Sequence, residues 1–215
     1  MNSRKKKLHE LLKEMDNYDW GKVPDISDKF KDYRKFAEEA FKEYLKKAGI
    51  KLSGLVLDLC CGPVSFGVVY KNVIGYDIIP EFIKELRKNG IKGIIGDIRE
   101  LPFEDKTFDY VICCGLPLRP YKKVKCGDGF KYVPEDVNVK SYIENFVDDC
   151  IRIAKKKVLI ISVPLVRYLP EKHRDKIEKV TYQYVLYNKN KFFVLKNRLS
   201  KKRRKRIEEM IEKSR

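Results

Sequence analysis

The chain has 215 residues, enough for one full hydrophobic core with an appendage. Its 43% hydrophobic content excludes general disorder, and no apolar run approaches the ~20 residues that span a bilayer. The net charge is +17, of which residues 1–7 hold +4 and residues 198–215 hold +6, so two short ends carry more than half of the excess. Basic ends on a milder domain suit the phosphates of a nucleic acid, although a Lys-rich solvated surface has the same composition. The basic start is not followed by an apolar signal core after Lys7, so the expected location is cytoplasmic. Six cysteines (Cys60, Cys61, Cys113, Cys114, Cys126, Cys150) include no CxxC pair, and His9 and His173 are the only histidines, so no zinc ribbon or other metal site is expected.

Residues 8–15 read as a short helix, and Tyr18 to Pro24 as a break. A longer helix is expected from Ser27 or Asp28, with Phe30, Tyr33, Ala37, Ala40, Phe41, Tyr44, Leu45 and Ala48 on one face and Gly49 as its stop. An alternation of strands and helices follows. Val56–Leu59 is the first strand, and Val73–Tyr76 the second, ending at Asp77. The helix between them can be little more than residues 64–69. Pro80 opens a helix over 81–88 that Gly90 closes. Ile94-Ile95 is a short third strand ending at Gly96-Asp97, and Phe108–Cys113 a fourth. Residues 115–134, rich in Pro, Gly, Lys and Tyr, read as a long functional loop. A helix is expected over 135–155 and an apolar fifth strand over 158–163. Residues 182–187 and 192–196 around Asn188-Lys189-Asn190 read as a β-hairpin. The fold class is therefore α/β: a doubly wound, mostly parallel sheet with a C-terminal antiparallel hairpin, preceded by N-terminal helices. The expected division is a helical extension (1–52), a main domain (53–197) and a basic tail (198–215).

Three acids carry the chemistry. Asp58, Asp77 and Asp97 end the first, second and third strands, and in a doubly wound sheet these ends lie side by side where ligands bind. A carboxylate after the second strand can accept both hydroxyls of a ribose, and one after the third can accept the exocyclic amine of a purine. Small residues after the first strand let backbone approach the ligand. A nicotinamide dehydrogenase would need G-x-G-x-x-G after the first strand, which Cys60-Cys61-Gly62-Pro63 does not supply. Taken singly, each acid also suits a cap or turn.

The order Val56-Leu57-Asp58-Leu59-Cys60-Cys61-Gly62-Pro63, then Ile74-Gly75-Tyr76-Asp77-Ile78, then Gly96-Asp97-Ile98, then Leu101-Pro102-Phe103 with Phe108-Asp109-Tyr110-Val111, resembles a class I S-adenosylmethionine-dependent methyltransferase of the type-11 kind, with a Rossmann-like fold. The resemblance covers roughly residues 53–197. It implies S-adenosyl-L-methionine as cofactor, with Asp58 near its ammonium group and Cys60 and Gly62 along its methionine part. Asp77 would hold the ribose, Ile78 would pack on adenine, Asp97 would accept from the adenine amine and the Ile98 backbone would face that ring. Cys113 and Cys114 would form the wall under the sulfonium. Cys60 and Val64 replace two glycines of the family's loop, where a larger side chain at residue 64 could crowd the cofactor's carboxylate.

No Asp/Asn-Pro-Pro-aromatic motif follows the fourth strand, so methylation of an exocyclic base amine is disfavoured, and no catalytic residue is assigned. The two Cys-Cys doublets fall near each other in such a sheet and read first as small wall residues rather than as metal ligands or a disulfide. The loop 115–134 interleaves Arg119, Lys122, Lys123, Lys125 and Lys131 with Tyr121, Phe130 and Tyr132, which suits RNA through phosphate contact and base stacking. RNA, gripped by this loop and the tail, is the expected acceptor. A small molecule or protein is the second reading, and a non-catalytic RNA-binding protein on the same fold the third.

Overall fold

Short apolar runs closed by turn residues build the centre of the molecule. In a computed structural model that describes residues 5–30, 33–126, 129–161, 171–180 and 184–188, they form nine strands. They are β1 (Val56–Leu59), β2 (Val73–Asp77), β3 (Lys92–Ile95), β4 (Phe108–Cys114), β5 (Tyr121–Cys126), β6 (Gly129–Pro134), β7 (Ala154–Ile161), β8 (Ile177–Val180) and β9 (Tyr184–Asn188). Seven share one sheet in the order β3-β2-β1-β4-β7-β9-β8, with β5 and β6 apart as an antiparallel pair. β1 to β4 and β7 run parallel, and β9 runs antiparallel between β7 and β8. The strand order reverses at β1 and β4, where Leu59 sits level with Tyr76 on one side and Cys113 on the other. A crevice opens at that reversal, beyond the carboxyl ends of the strands.

The period-two alternation of these strands divides the interior in two. Leu57, Leu59, Ile74, Tyr76, Val111, Cys113, Val158 and Ile160 join one core. Helix α1 (Leu8–Asp16) packs there through Leu11 and Met15, beside Ile143, Phe146, Val147 and Cys150 of the later helix at Val139–Ile153. Val56, Val73, Tyr110, Ile112, Leu159 and Ile161 face the other way, onto Ala37, Phe41 and Ala48 and onto Phe66. Phe41 and Phe66 stack with ring centroids 4.0 Å apart.

Most elements lie where they were expected, and the differences have local causes. Of the single helix expected over 27–48, the described residues show α2 (Ser27–Phe30) and α3 (Tyr33–Ala48), and residues 31–32 between them lie outside the described residues. Tyr33, placed on the apolar stripe by spacing, is 51% exposed, so the buried stripe rests on Ala37, Phe41 and Ala48. Between β1 and β2 the short helix is one turn of 3-10 helix, Phe66–Val68, capped by the Ser65 hydroxyl accepting from the Gly67 amide. Helix α4 (Pro80–Lys88) has Pro80 in its first turn, and Gly90 follows with φ of 75°. Helix α5 (Val139–Ile153) starts later than expected because Asn138 caps it, its Oδ1 accepting from the Ser141 amide. The chain passes from α5 directly into β7, four residues earlier than expected.

Two expectations are corrected. Residues 115–134 are not an open loop: β5 and β6 pair over six residues, and the Glu135 amide closes their base on the Pro120 carbonyl. The C-terminal strand at 184–188 pairs with β7 and β8, so both its edges are taken. The expected partner at 192–196 lies outside the described residues, as does the tail from 198. The antiparallel edge expected of the sheet is present, made by 177–180 with 184–188. No helix among the described residues is long and apolar enough to cross a membrane.

Candidate functional site

The carboxyl ends of β1, β2 and β3 surround a cavity of about 350 Å³, within the size range of small-molecule sites. Six of the residues singled out by sequence line it: Cys60 and Gly62 after β1, Asp77 and Ile78 at the end of β2, and Asp97 and Ile98 after β3. Ile79 and Phe82 close one side, and Gly115, Pro117, Pro120 and Tyr121 close the other. The segment 115–134, expected as a functional loop, reaches the cavity through Gly115, Pro117, Pro120 and Tyr121, the last at the start of β5.

Asp77 stitches two loops together. Its Oδ2 accepts from the Gly62 amide and its Oδ1 from the Ile79 amide, each at 3.0 Å. Burial pushes its carboxyl up, and the Ile79, Gly62 and Ile78 amides pull it back. Gly62 has φ of 59°, a left-handed backbone with open space around the position of a Cβ. Cys60 also has positive φ, at 52°, uncommon for a side-chain-bearing residue and found here in the ligand-facing turn. Val64 is buried with Ala37 and Phe41 and does not line the cavity. Its side chain packs in the core beneath α3 and does not narrow the cavity.

Asp97 faces the cavity, but its carboxylate is engaged. Oδ1 accepts from the Arg99 amide and Oδ2 from the Arg99 guanidinium Nε, both at 2.9 Å, and Arg99 also pairs with Glu135. The hydrogen bond to Asp97 raises the Arg99 guanidinium above its ordinary value. Arg99, two positions past the third-strand acid, is a site neighbour that sequence reasoning missed.

Asp58 and Cys113 do not line this cavity. Asp58 is wholly buried at the end of β1. Its Oδ2 accepts from the Ser65 hydroxyl at 2.7 Å and the Phe66 amide at 2.8 Å, while its Oδ1 has no hydrogen-bond partner among the described residues. Burial raises its carboxyl to about 7 against those two bonds. Cys113 lies behind Cys60, within hydrogen-bond reach of it, and burial pushes its thiol up. Cys114 points to the opposite face of the sheet, toward the core under α3, where burial raises its thiol to about 12. Buried thiols of this kind are packing groups, unreactive because burial disfavours the thiolate. Among the described residues the six cysteines are free, and no cluster of three or more His, Cys, Asp or Glu is arranged to hold a metal.

The cavity fits the cofactor that the sequence resemblance implies. It offers a carboxylate at the second strand end, a backbone cradle at Gly62 without a blocking side chain, and apolar walls at Ile78 and Ile98.

Residues 56–126 match a family model described as a methyltransferase domain. Among curated proteins, a Methanocaldococcus jannaschii protein of uncharacterised function is 37% identical over 110 residues, 47% of either chain. A demethylmenaquinone methyltransferase from Bacillus cytotoxicus is 27% identical over 124 residues, 51% of this chain and 49% of that one. The chain spans about half the length of the curated relatives it matches. A solved Thermotoga maritima SAM-dependent methyltransferase is 17% identical, covering 72% of this chain and 61% of its own, with a TM-score of 0.43. The matched segment runs from β1 through β5, the strands and loops that build the cavity, so it is the cavity-bearing part of the chain that is similar to a methyltransferase domain.

Proposed function

We propose that this protein binds S-adenosylmethionine in the cavity at the ends of β1, β2 and β3 and transfers its methyl group to a small-molecule acceptor. The observation that carries the reading is the convergence of six sequence-chosen residues, from three separate strand ends, on one cavity. When bound, the cofactor supplies an activated methyl group on a sulfonium. The chain's own residues bind and orient. The Asp77 carboxylate accepts the ribose hydroxyls, Gly62 leaves backbone accessible to the methionine part, and Ile78 and Ile98 hold the adenine between apolar surfaces. The buried Asp58 carboxyl, with one oxygen unpartnered, supports the cofactor's ammonium end through the loop it anchors at Ser65 and Phe66. Catalysis is then chiefly positioning.

Calorimetry with S-adenosylhomocysteine tests this reading. Wild-type protein is expected to bind, and Asp77→Asn to bind about tenfold or more weaker, because a hydrogen bond to a charged group is worth ~1.5–3 kcal/mol. No binding at millimolar concentration refutes the reading and favours a non-catalytic protein.

A small acceptor accords with relatives named demethylmenaquinone methyltransferases. An RNA acceptor is the second reading, favoured by Lys122, Lys123, Lys125 and Lys131 around the exposed Tyr121 and Phe130 on the β5–β6 hairpin. Labelled methyl groups transferred to an extract separate the two, according to whether the label enters the RNA or the small-molecule fraction.

A further inference from the structure

Among the described residues, β5 and β6 pair with each other and with no further strand, so the ribbon stands apart from the main sheet. Its strands carry Lys122, Lys123, Lys125 and Lys131 and no carboxylate. All four lysines are exposed, and none is in an ion pair among the described residues. The lysines of α3 differ: Lys42 and Lys47 pair with Glu38 and Glu43 one turn away, the pattern of an ordinary solvated face. Arg119, at the foot of the ribbon, is likewise paired, with Asp136 at 3.1 Å. Unpaired cations gathered on one ribbon repel one another, and an anionic partner relieves that repulsion.

The period of two sorts the ribbon into faces. Lys123 stands opposite Tyr132 and Lys125 opposite Phe130, and Tyr121, two positions before Lys123, shares their face. That face begins at the cavity at the ends of β1, β2 and β3, because Tyr121 lines it. Burial, with Glu81, Tyr18 and Asp77 nearby, raises the Tyr132 phenol to about 12, so this ring too lies toward the Asp77 side of the cavity. The rest of the face is open to solvent. Tyr121 is 40% exposed and Phe130 63%, and Lys123 sits over the Phe130 ring at 4.1 Å.

We propose that this face of the β5–β6 ribbon docks single-stranded RNA, whose bases stack on Tyr121, Phe130 and Tyr132 while its phosphates meet Lys123 and Lys125. The inference goes beyond the methyltransferase reading: it concerns a partner and holds whether or not the docked strand accepts the methyl group. Length favours a polymer, since a six-residue strand runs about 20 Å, more than an acceptor of one or two rings spans. Stacking needs unpaired bases, because a duplex covers its base faces. A lipid surface is disfavoured, because interfacial segments put apolar residues on one face and lysines on the other, whereas here Lys123 and Lys125 each stand opposite a ring. The hydroxyls of Tyr121 and Tyr132 both donate and accept, which suits the 2′-hydroxyl that distinguishes RNA from DNA.

Fluorescence anisotropy of the full chain with a labelled, unstructured RNA of about ten nucleotides tests the assignment. Wild type is expected to bind, more weakly as salt rises, and to bind DNA of the same sequence and the duplex less well. Phe130→Ala leaves the charge unchanged and is expected to weaken RNA binding roughly fivefold or more, the loss of one stacked base. Lys123→Gln with Lys125→Gln is expected to reduce the salt slope by about 1.4, the share of two phosphate contacts. Lys42→Gln with Lys47→Gln removes the same charge from α3 and is expected to leave affinity within about twofold. Each change is at an exposed position, so the unfolding temperature is expected to hold. Equal affinity in wild type and Phe130→Ala, an equal loss in the two double variants, or equal binding of the RNA, its DNA counterpart and the duplex each overturns the proposal. Binding of phosphatidylserine vesicles, lost in Phe130→Ala, by a wild type that binds no RNA overturns it in favour of a lipid surface. Failure of S-adenosylhomocysteine to bind is a separate result, which overturns the methyltransferase reading and leaves the RNA titration standing.

Discussion

Asp58 concentrates the local physics of the site. Its carboxyl is buried, has one oxygen bonded to Ser65 and Phe66, and is raised to about 7. In the unfolded chain an aspartate titrates near ~3.9. Below that value both states hold the proton. Between about pH 4 and 7 the unfolded chain loses it while the folded chain keeps it, so the contribution of Asp58 to stability falls as pH rises and levels off above 7. Asp58→Asn removes this dependence. Relative to wild type, the variant is expected to gain stability on the order of a few kcal/mol between pH 4.5 and pH 8, read from urea unfolding at several pH values. A pH-independent difference between the two proteins counts against a raised carboxyl. Asp58 was visible in the sequence as an acid at a strand end. Its burial away from the cavity was not visible, because the neighbouring 3-10 turn decides which way the carboxylate is met.

At the scale of elements, the approach of α4 to the sheet depends on absent side chains. A Cβ placed at Gly75 in β2 would stand 2.4 Å from Leu86 Cδ1 and 2.9 Å from Cys61 Sγ. Gly75→Ala is therefore expected to destabilise the fold by ~1–3 kcal/mol, since overpacking displaces neighbours that have nowhere to move. An unchanged urea midpoint would show that α4 shifts freely. Glycine within a strand pattern is a legible sign of such close approach. The β5–β6 hairpin was less legible. Tyr121-Lys122-Lys123-Val124-Lys125-Cys126 lacks a clean alternation of apolar and polar residues, and its ladder is held by pairing with β6 and by Lys123 over the Phe130 ring at 4.1 Å. Cross-strand contacts of this kind stabilise a ribbon without leaving a period in either strand alone.

For the molecule as a whole, the N-terminal segment is part of the main core and not a free arm. Leu11 and Met15 of α1 are buried with strand residues of the sheet, Met15 Sδ accepts from the Ile95 amide, and Lys6 bridges to Phe103. Leu11→Ala is expected to cost ~2 kcal/mol or more through the lost transfer energy and the cavity it leaves. That corresponds to a fall of about 4–8 °C in unfolding temperature for a domain of this size, measurable by calorimetry. A change under about 1 °C would mean that α1 is only loosely attached. The sequence by itself determined the parallel sheet, the position of its ligand edge and the three acids that mark it, because a buried strand must be continuously apolar and must end in turn residues. Tertiary structure alone decided which acids reach the cavity, that Arg99 occupies Asp97, and that Pro120 and Tyr121 close the cavity wall. Those relations connect residues dozens of positions apart through packing, which no local pattern of residue types encodes.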